Sequence, residues 1–185
     1  MDKVQVYGKE YLTRRTLSGE YAIYGEPSDE NGQTTLNIDK LEAVISYTAE
    51  RVPNLFKVKL MKMLWYVDVF SYLKTDHAMT GLVYRHEDLG ALPVGHYSLM
   101  NLERLNVVEE SSVNYDSMLH IYPTKDMDYS VLSDEDKSVI DKVIRKFKRY
   151  TAGEIVEYMH EEKAYTETKK GEVIRFSLGA NIRRF

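Results

Sequence analysis

Apolar residues recur at helical spacing over residues 38–52 and again over residues 55–74. In the first segment they fall three and four positions apart, on one face of a helix, and Asn37 is placed to cap its first turn. The second segment, which contains Trp65, is apolar on most sides, as is typical of a helix buried at the centre of a domain. The pattern therefore predicts two helices separated by Pro53, and the second is the hub of the core.

The C-terminal half repeats the helical pattern. Ser133, with an acid three residues later, fits a capping box, and an apolar stripe follows over residues 139–147. Basic residues crowd the rest of the segment over 142–149, where a solvated helix face is favoured over contacts to phosphate groups. A further short helix is predicted over residues 151–160.

The intervening segments indicate short strands, turns and one more helix. We predict a short strand over 81–84, a loop over 85–93 and a helix over 94–105, then strands at 106–109 and 117–122, and a last strand over 172–177. The predicted class is α+β, with a mainly helical core around a buried central helix and a small antiparallel sheet or hairpins.

Residues 1–35 differ from the rest because glycine and turn-forming residues interrupt them. Two β-leaning stretches, 4–7 and 21–24, are followed by a loop signal over 25–32. We expect an N-terminal arm or small β segment and linker over 1–35, and the main domain over 36–185.

Composition narrows the class of protein. The length of 185 residues suits one ordinary domain, and the absence of cysteine excludes disulfides, thiol nucleophiles and cysteine-based metal sites. The 15 tyrosines suit recognition patches or a wet core edge. With a net charge of −4 and no apolar run of membrane-spanning length, we expect a cytoplasmic protein that binds neither membranes nor nucleic acid.

Candidate chemistry is sparse. No nucleophile motif and no phosphate-binding glycine loop is present, so we predict no catalytic residue and no cofactor. His86 and His160, each followed by two acids, would hold a metal only if the fold brought them together, and we predict no metal. Asp68 lies on the most apolar helix, where a buried ion pair with Arg or Lys is favoured over general acid–base work.

Five motifs in a fixed order carry a resemblance to a known family. They are a lysine-rich helix ending in Leu64-Trp65-Tyr66-Val67-Asp68, then Thr80-Gly81-Leu82-Val83-Tyr84, the loop at 89–94, the helix start at 132–136, and the segment 158–165 with His160, Glu161 and Tyr165. Together these resemble the Panacea domain, also called the SocA-like antitoxin domain, over about residues 40–185. The usual Gly-Pro pair of the family's loop is Gly90-Ala91 here, with proline only at position 93.

The resemblance implies an antitoxin that binds and neutralises a cognate toxin, and in one branch of the family the domain delivers the toxin to a cellular protease. Segments 81–97 and 158–165 are dense in tyrosine, histidine and acid and lack the periodicity of a core, so we expect them to lie together and bind the partner. The partner-binding residues we expect are Tyr84, His86, Glu87, Leu92, Pro93, His160, Glu161 and Tyr165. The structural core residues we expect are Leu60, Leu64, Trp65, Asp68 and Gly81.

Two other classes stay open. Helix 94–105 followed by a hairpin has the outline of a winged helix, which would suit a DNA-binding transcriptional regulator. The two histidine clusters would suit a metal-dependent hydrolase.

Overall fold

The computed structural model describes residues 13–113 and 115–185, and it confirms the predicted α+β class with a mainly helical core. Two antiparallel sheets of two strands each accompany the helices. The helices are α1 (described over 13–20), α2 (Ile38–Arg51), α3 (Lys57–Thr75), α4 (His96–Met100), α5 (Asp134–Phe147), α6 (Ala152–His160) and α7 (Lys163–Thr166). The strands are β1 (Tyr84–Glu87), β2 (Gly90–Pro93), β3 (Asn106–Ser112) and β4 (Tyr115–Tyr122), and short 3-10 helices cover Ala22–Tyr24, Tyr129–Val131 and Phe176–Asn181.

Helices α2 and α3 form where the periodicity predicts them. The Asn37 side chain accepts a hydrogen bond from the backbone N of Lys40, which caps the first turn of α2. Helix α3 is buried along most of its length and contacts α5, α6 and β2. Trp65, at its middle, is 2% exposed, so the predicted central helix is confirmed.

Helices α5 and α6 begin at capping boxes. Ser133 and Asp136 exchange hydrogen bonds at the start of α5, and Thr151 and Glu154 do the same at the start of α6. The apolar stripe of α5 is buried against α3. Both helices were expected from these local signals, and both are confirmed.

Strands β3 and β4 form the predicted hairpin, and both strands extend further towards the turn than predicted. Asn106 pairs with Tyr122 at the open end. The backbone N of Ile121 donates to the carbonyl oxygen of Leu55, 2.8 Å away, and this bond joins β4 to the start of α3.

The segment predicted as a strand over 81–84 and a loop over 85–93 is instead a β-hairpin, in which β1 begins only at Tyr84. Glu87 pairs with Gly90, so two residues make the turn. Gly90 has φ +100°, and a Cβ at this position would meet Met159 Sδ at 2.8 Å. Glycine and proline mark the hairpin's turn and its end, which is why the segment reads as a loop.

The predicted helix over 94–105 is also wrong, because α4 has only five residues. Gly95 has a left-handed φ of 71° and delays the start of the helix. At the other end, the Asn101 side chain donates to the carbonyl oxygen of Tyr97, a local bond that competes with helix continuation. The apolar spacing over the rest of the segment reflects burial of Leu102 and Leu105 in irregular chain.

Two predicted β segments are absent from the part of the chain that the structure describes. Residues 172–177 bury Ile174 and Phe176 in alternation but form only one isolated bridge, Val173 with Arg85. Residues 22–24 form a 3-10 helix. Tyr21, which precedes it, and Tyr24, at its end, are three residues apart and are both buried. Residues 4–7 lie outside the described residues, and the division of the chain at residue 35 stays a prediction.

Candidate functional site

The β1–β2 hairpin and the α6–α7 segment meet through a stack of rings. The imidazole of His86, in β1, stacks on the phenol ring of Tyr165 with centroids 3.7 Å apart. The imidazole of His160, at the end of α6, stacks on the same ring at 4.7 Å. The expectation that 81–97 and 158–165 lie together is confirmed.

Hydrogen bonds hold this stack in place. The Tyr165 hydroxyl donates to the carbonyl oxygen of Glu87, 2.7 Å away, and His86 Nδ1 lies 3.0 Å from the carbonyl oxygen of Tyr165. Burial raises the pKa of the Tyr165 phenol, which keeps it protonated as a donor. Tyr165 therefore ties α7 to β1.

The edge of β2 that faces away from β1 is bonded to two buried side chains from the helical core. Lys62 Nζ, from α3, donates to the carbonyl oxygen of Ala91 at 2.9 Å, and the Ala91 N–H donates to Met159 Sδ at 3.1 Å. A proline at position 91, as in the Gly-Pro pair of the resembled family, would lack this N–H. Lys62 is buried, and burial lowers the pKa of its ammonium group to about 7.

The outer edge of β1 is paired with residues 171–174. Gly171 N donates to the carbonyl oxygen of His86 at 2.8 Å, and His86 N donates to that of Glu172 at 3.0 Å. Ile174 N donates to the carbonyl oxygen of Tyr84 at 2.8 Å. Both edges of the hairpin are therefore fixed, and its turn is the part that projects.

A buried carboxylate anchors the chain that leads into the hairpin. Asp68 Oδ1 accepts from Thr80 N at 2.7 Å, and Oδ2 accepts from Thr80 Oγ1 and Tyr84 Oη, both at 2.6 Å. The expected ion pair with Arg or Lys is wrong, because these donors are uncharged. Burial outweighs the three hydrogen bonds and raises the pKa of Asp68 to about 6. The sequence predicts a polar partner for this group but cannot say which one, since Thr80 and Tyr84 are distant along the chain.

A second buried carboxylate, which sequence reasoning missed, supports α7. Glu162 is 1% exposed and accepts from Tyr66 Oη at 3.0 Å and from the backbone N of Arg183 at 3.1 Å. The guanidinium of Arg183 also pairs with the exposed Glu161 at 2.8 Å. The available sequence signal is the acidic pair that directly follows α6.

The residues predicted to bind a partner differ in exposure. Glu161 is exposed, and His86, Glu87, Leu92 and His160 are half-buried. Pro93 and Tyr165 are buried, and Tyr84 is fully enclosed with its hydroxyl directed at Asp68. A partner could therefore touch the exposed and half-buried residues of this set in the folded chain. Tyr84, Pro93 and Tyr165 lie beneath the surface and support its shape.

Two exposed apolar side chains near the hairpin were not selected from the sequence. Leu89, in the hairpin turn, is 56% exposed, and Tyr97, on α4, is 73% exposed. A groove lined by Arg85, Glu87 and residues 92–96 runs beside β2 towards α4. An apolar residue inside a predicted turn, as at Leu89, is the signal that could have found the first of them.

The site offers little for metal chemistry. Within 13–113 and 115–185, no three side chains of the histidine, aspartate and glutamate types are grouped as they would be around a metal ion. His86 and His160 come together on the ring of Tyr165, which occupies the space that a shared ligand would need. A search of the described residues also finds no helix long and apolar enough to span a bilayer.

A comparison with protein families gives a match over the middle and C-terminal parts of the chain. The family model described as antitoxin SocA-like, Panacea domain, matches residues 60–165. The matched segment runs from α3 to Tyr165 and includes the whole hairpin, Lys62, Asp68 and the ring stack. No curated protein and no solved structure matches the chain.

Proposed function

Because this chain belongs to the SocA-like antitoxin, Panacea domain family, we propose that it is an antitoxin that binds and neutralises a cognate toxin protein. The family match over residues 60–165 is the observation that carries the proposal. The protein acts by contact and not by catalysis, so the proposal assigns no catalytic residue and no cofactor.

We place the toxin-binding surface on the β1–β2 hairpin and the adjoining end of α6. The turn presents Leu89, the groove beside β2 presents Leu92, and Tyr97 on α4 directly follows the groove residue His96. Glu161 and the half-buried His160 complete the surface on the α6 side. Apolar and aromatic anchors with a polar rim are the usual composition of a protein-binding patch.

The support beneath this surface favours the same assignment. Lys62 and Met159 fix β2, and Tyr165 fixes β1. A hairpin held in one conformation loses less entropy when a partner binds it, which leaves more of the contact energy as affinity.

Neutralisation takes one of two forms. In the first, the bound antitoxin blocks the toxin's working surface. In the second, it delivers the toxin to a protease, as in one branch of the family. The two forms predict different toxin levels in cells, since blocking leaves the toxin abundant and delivery depletes it.

The test uses the product of the neighbouring gene as the candidate toxin. It is expressed with the antitoxin, and growth, toxin abundance and co-purification are measured together. We expect growth rescue and a stable complex, or rescue with a depleted toxin that reappears when proteases are inactivated. A neighbouring product that is not toxic, or that is toxic and neither binds nor is rescued, contradicts the proposal for that pair.

The location of the surface is tested with single substitutions. Leu89→Asp and Tyr97→Ala remove exposed apolar anchors, so each should leave the melting temperature unchanged and weaken toxin binding by about 2 kcal/mol, or about thirtyfold. Val131→Asp is the matched control, because Val131 is 40% exposed and lies on the 3-10 helix Tyr129–Val131, which contacts α2. If Val131→Asp weakens binding as much as Leu89→Asp does, the hairpin is not the contact surface.

A further inference from the structure

A groove between α3 and α5 concentrates positive charge on an acidic protein. The chain carries 29 acidic and 25 basic residues. Four of the basic side chains nevertheless line this one depression, and they come from three separate parts of the chain, Lys74 from α3, Lys142 and Arg145 from α5, and Arg184 from the C-terminal segment.

The cations of the groove are poorly neutralised by the protein itself. Lys74 pairs with the exposed Glu135 at 3.1 Å. Among the described residues, no carboxylate lies within ion-pair distance of Lys142, Arg145 or Arg184. Like charges brought together without counter-charges repel one another, so the arrangement is stabilised when an anion binds.

The floor of the groove is apolar and firmly held. Phe70 and Leu73 from α3 and Val139 from α5 lie beneath the cations. Lys142 Nζ sits over the Phe70 ring at 4.4 Å from its centroid, which fixes the position of this ammonium group. The groove therefore has a fixed floor on the two main core helices, with Lys142 held above it and Arg145 and Arg184 exposed at the rim.

The groove is separate from the hairpin surface. Lys62, which supports the hairpin, and Lys74, at the groove, are twelve residues apart on α3, and at 1.5 Å per residue this is a distance of about 18 Å. One partner segment bound in the groove would leave the hairpin free.

The lining favours a protein segment over a nucleic acid. Binding of single-stranded nucleic acid commonly uses exposed rings on which bases stack, but Phe70 is 5% exposed and Lys142 already covers its face. The cationic rim instead matches an acidic peptide, and the half-buried Leu73 leaves an apolar contact for an aliphatic side chain of that peptide.

We propose that the groove formed by Lys74, Lys142, Arg145 and Arg184 over Phe70 and Leu73 is a second docking site, which binds an acidic, aliphatic-containing segment of a protein partner. The site does not depend on the toxin-binding role of the hairpin, and it assigns a function to the basic residues of α5 that neutralisation at the hairpin leaves unused.

The probe is a fluorescein-labelled peptide of alternating glutamate and leucine, and binding is followed by anisotropy with the full chain. The same peptide with glutamine in place of glutamate, and a labelled DNA duplex, are run beside it. The groove variant is Arg145→Glu with Arg184→Glu, because both side chains are exposed and neither packs on a ring. The control variant is Lys125→Glu with Lys169→Glu, which makes the same change in net charge on exposed side chains elsewhere.

We expect the glutamate peptide to bind, and the groove variant to weaken its binding by about tenfold or more, since two attractions become repulsions. The control variant and the glutamine peptide separate this effect from net charge and from leucine burial. The proposal is overturned if the glutamate peptide does not bind, if both variants weaken it equally, or if the groove variant affects the DNA duplex more than the peptide. Unchanged melting temperatures in both variants exclude loss of folding as the cause.

Discussion

Replacing Asp68 with asparagine tests the carboxylate that anchors the hairpin. Asparagine keeps the shape of the side chain and an oxygen that can accept from Thr80, but it has no charge to bury. Burial raises the pKa of Asp68 from the ordinary 3.8 to about 6 in the folded chain. The folded state therefore binds the Asp68 proton more tightly than the unfolded state does.

This difference in proton affinity between the folded and unfolded states fixes how the free energy of unfolding depends on pH. A raised pKa contributes stability that is fully present below the unfolded value and is lost as the pH rises through the folded value. For the full shift, the free energy of unfolding falls by about 3 kcal/mol. Between about pH 5 and about pH 7.5 it falls by about 1.4 kcal/mol. Asp68→Asn lacks this dependence, so the stability of the wild type relative to the variant should fall by that amount over the interval.

Urea unfolding at several pH values measures the difference, with fluorescence of the single tryptophan, Trp65, as the probe. Trp65 is buried one turn before Asp68 on α3, so its emission reports on the same part of the core. The contributions of the other titrating groups cancel in this difference, because the wild type and the variant both contain them. A difference that is flat, or that grows with pH, would show that the donors from Thr80 and Tyr84 outweigh burial and hold the pKa of Asp68 at or below its usual value.

Three further substitutions test the same framework. Trp65→Ala should lower the free energy of unfolding by ~3–5 kcal/mol in a denaturant titration followed by circular dichroism, since it empties a large buried site, and a loss below ~1 kcal/mol would place Trp65 at the surface. Gly81→Ala should cost about 2 kcal/mol or more in the same assay, because φ is +80° and a Cβ would lie 2.4 Å from the Thr35 carbonyl oxygen. Burial lowers the pKa of Lys62 to about 7, so the free energy of unfolding of the wild type should rise by about 2 kcal/mol between about pH 7 and pH 9. Lys62→Met should lack this rise, and a variant with the same pH profile as the wild type would contradict the shift.

The helices were predictable because their signals are local. Asn37 and Ser133 cap helices through bonds to residues three positions away, and Pro53 follows the end of α2. Such contacts are set by the neighbouring sequence alone, whatever the rest of the chain does. The positions of the main helices therefore follow from the pattern of residues.

The hairpin and the C-terminal segment were less predictable because their partners are distant. Residues 84–86 of the hairpin bond with residues 171–174, and Phe176 N donates to the carbonyl oxygen of Asp29. The alternation over 172–177 is real, but hydrogen bonds to β1 reach only as far as Ile174, and the rest of the segment records alternate burial against the core. Period-two patterns report which side chains are enclosed, and a strand forms only where another strand supplies the hydrogen bonds.

The candidate site also has features that could be predicted from the sequence and features that could not. That 81–97 and 158–165 meet could be inferred from their composition, whereas the burial of Tyr84 and Tyr165 could not. Both tyrosines direct their hydroxyls inward, Tyr84 to Asp68 and Tyr165 to Glu87. A tyrosine in a recognition segment and a tyrosine in a polar core look alike in sequence, since the same ring and hydroxyl suit both positions.

Three buried ionisable side chains lie beneath the hairpin and its flanking helices. Lys62 lies beneath β2, Asp68 beneath the entry to β1, and Glu162 beneath α7. Each carries a desolvation cost that an apolar residue would avoid, so stability alone does not explain them. Each also makes directional bonds that an apolar residue cannot make, and together these fix the backbone under the hairpin and its flanking helices. The backbone beneath the proposed contact surface is thus held by directional polar contacts, which is the property that a preformed binding surface requires.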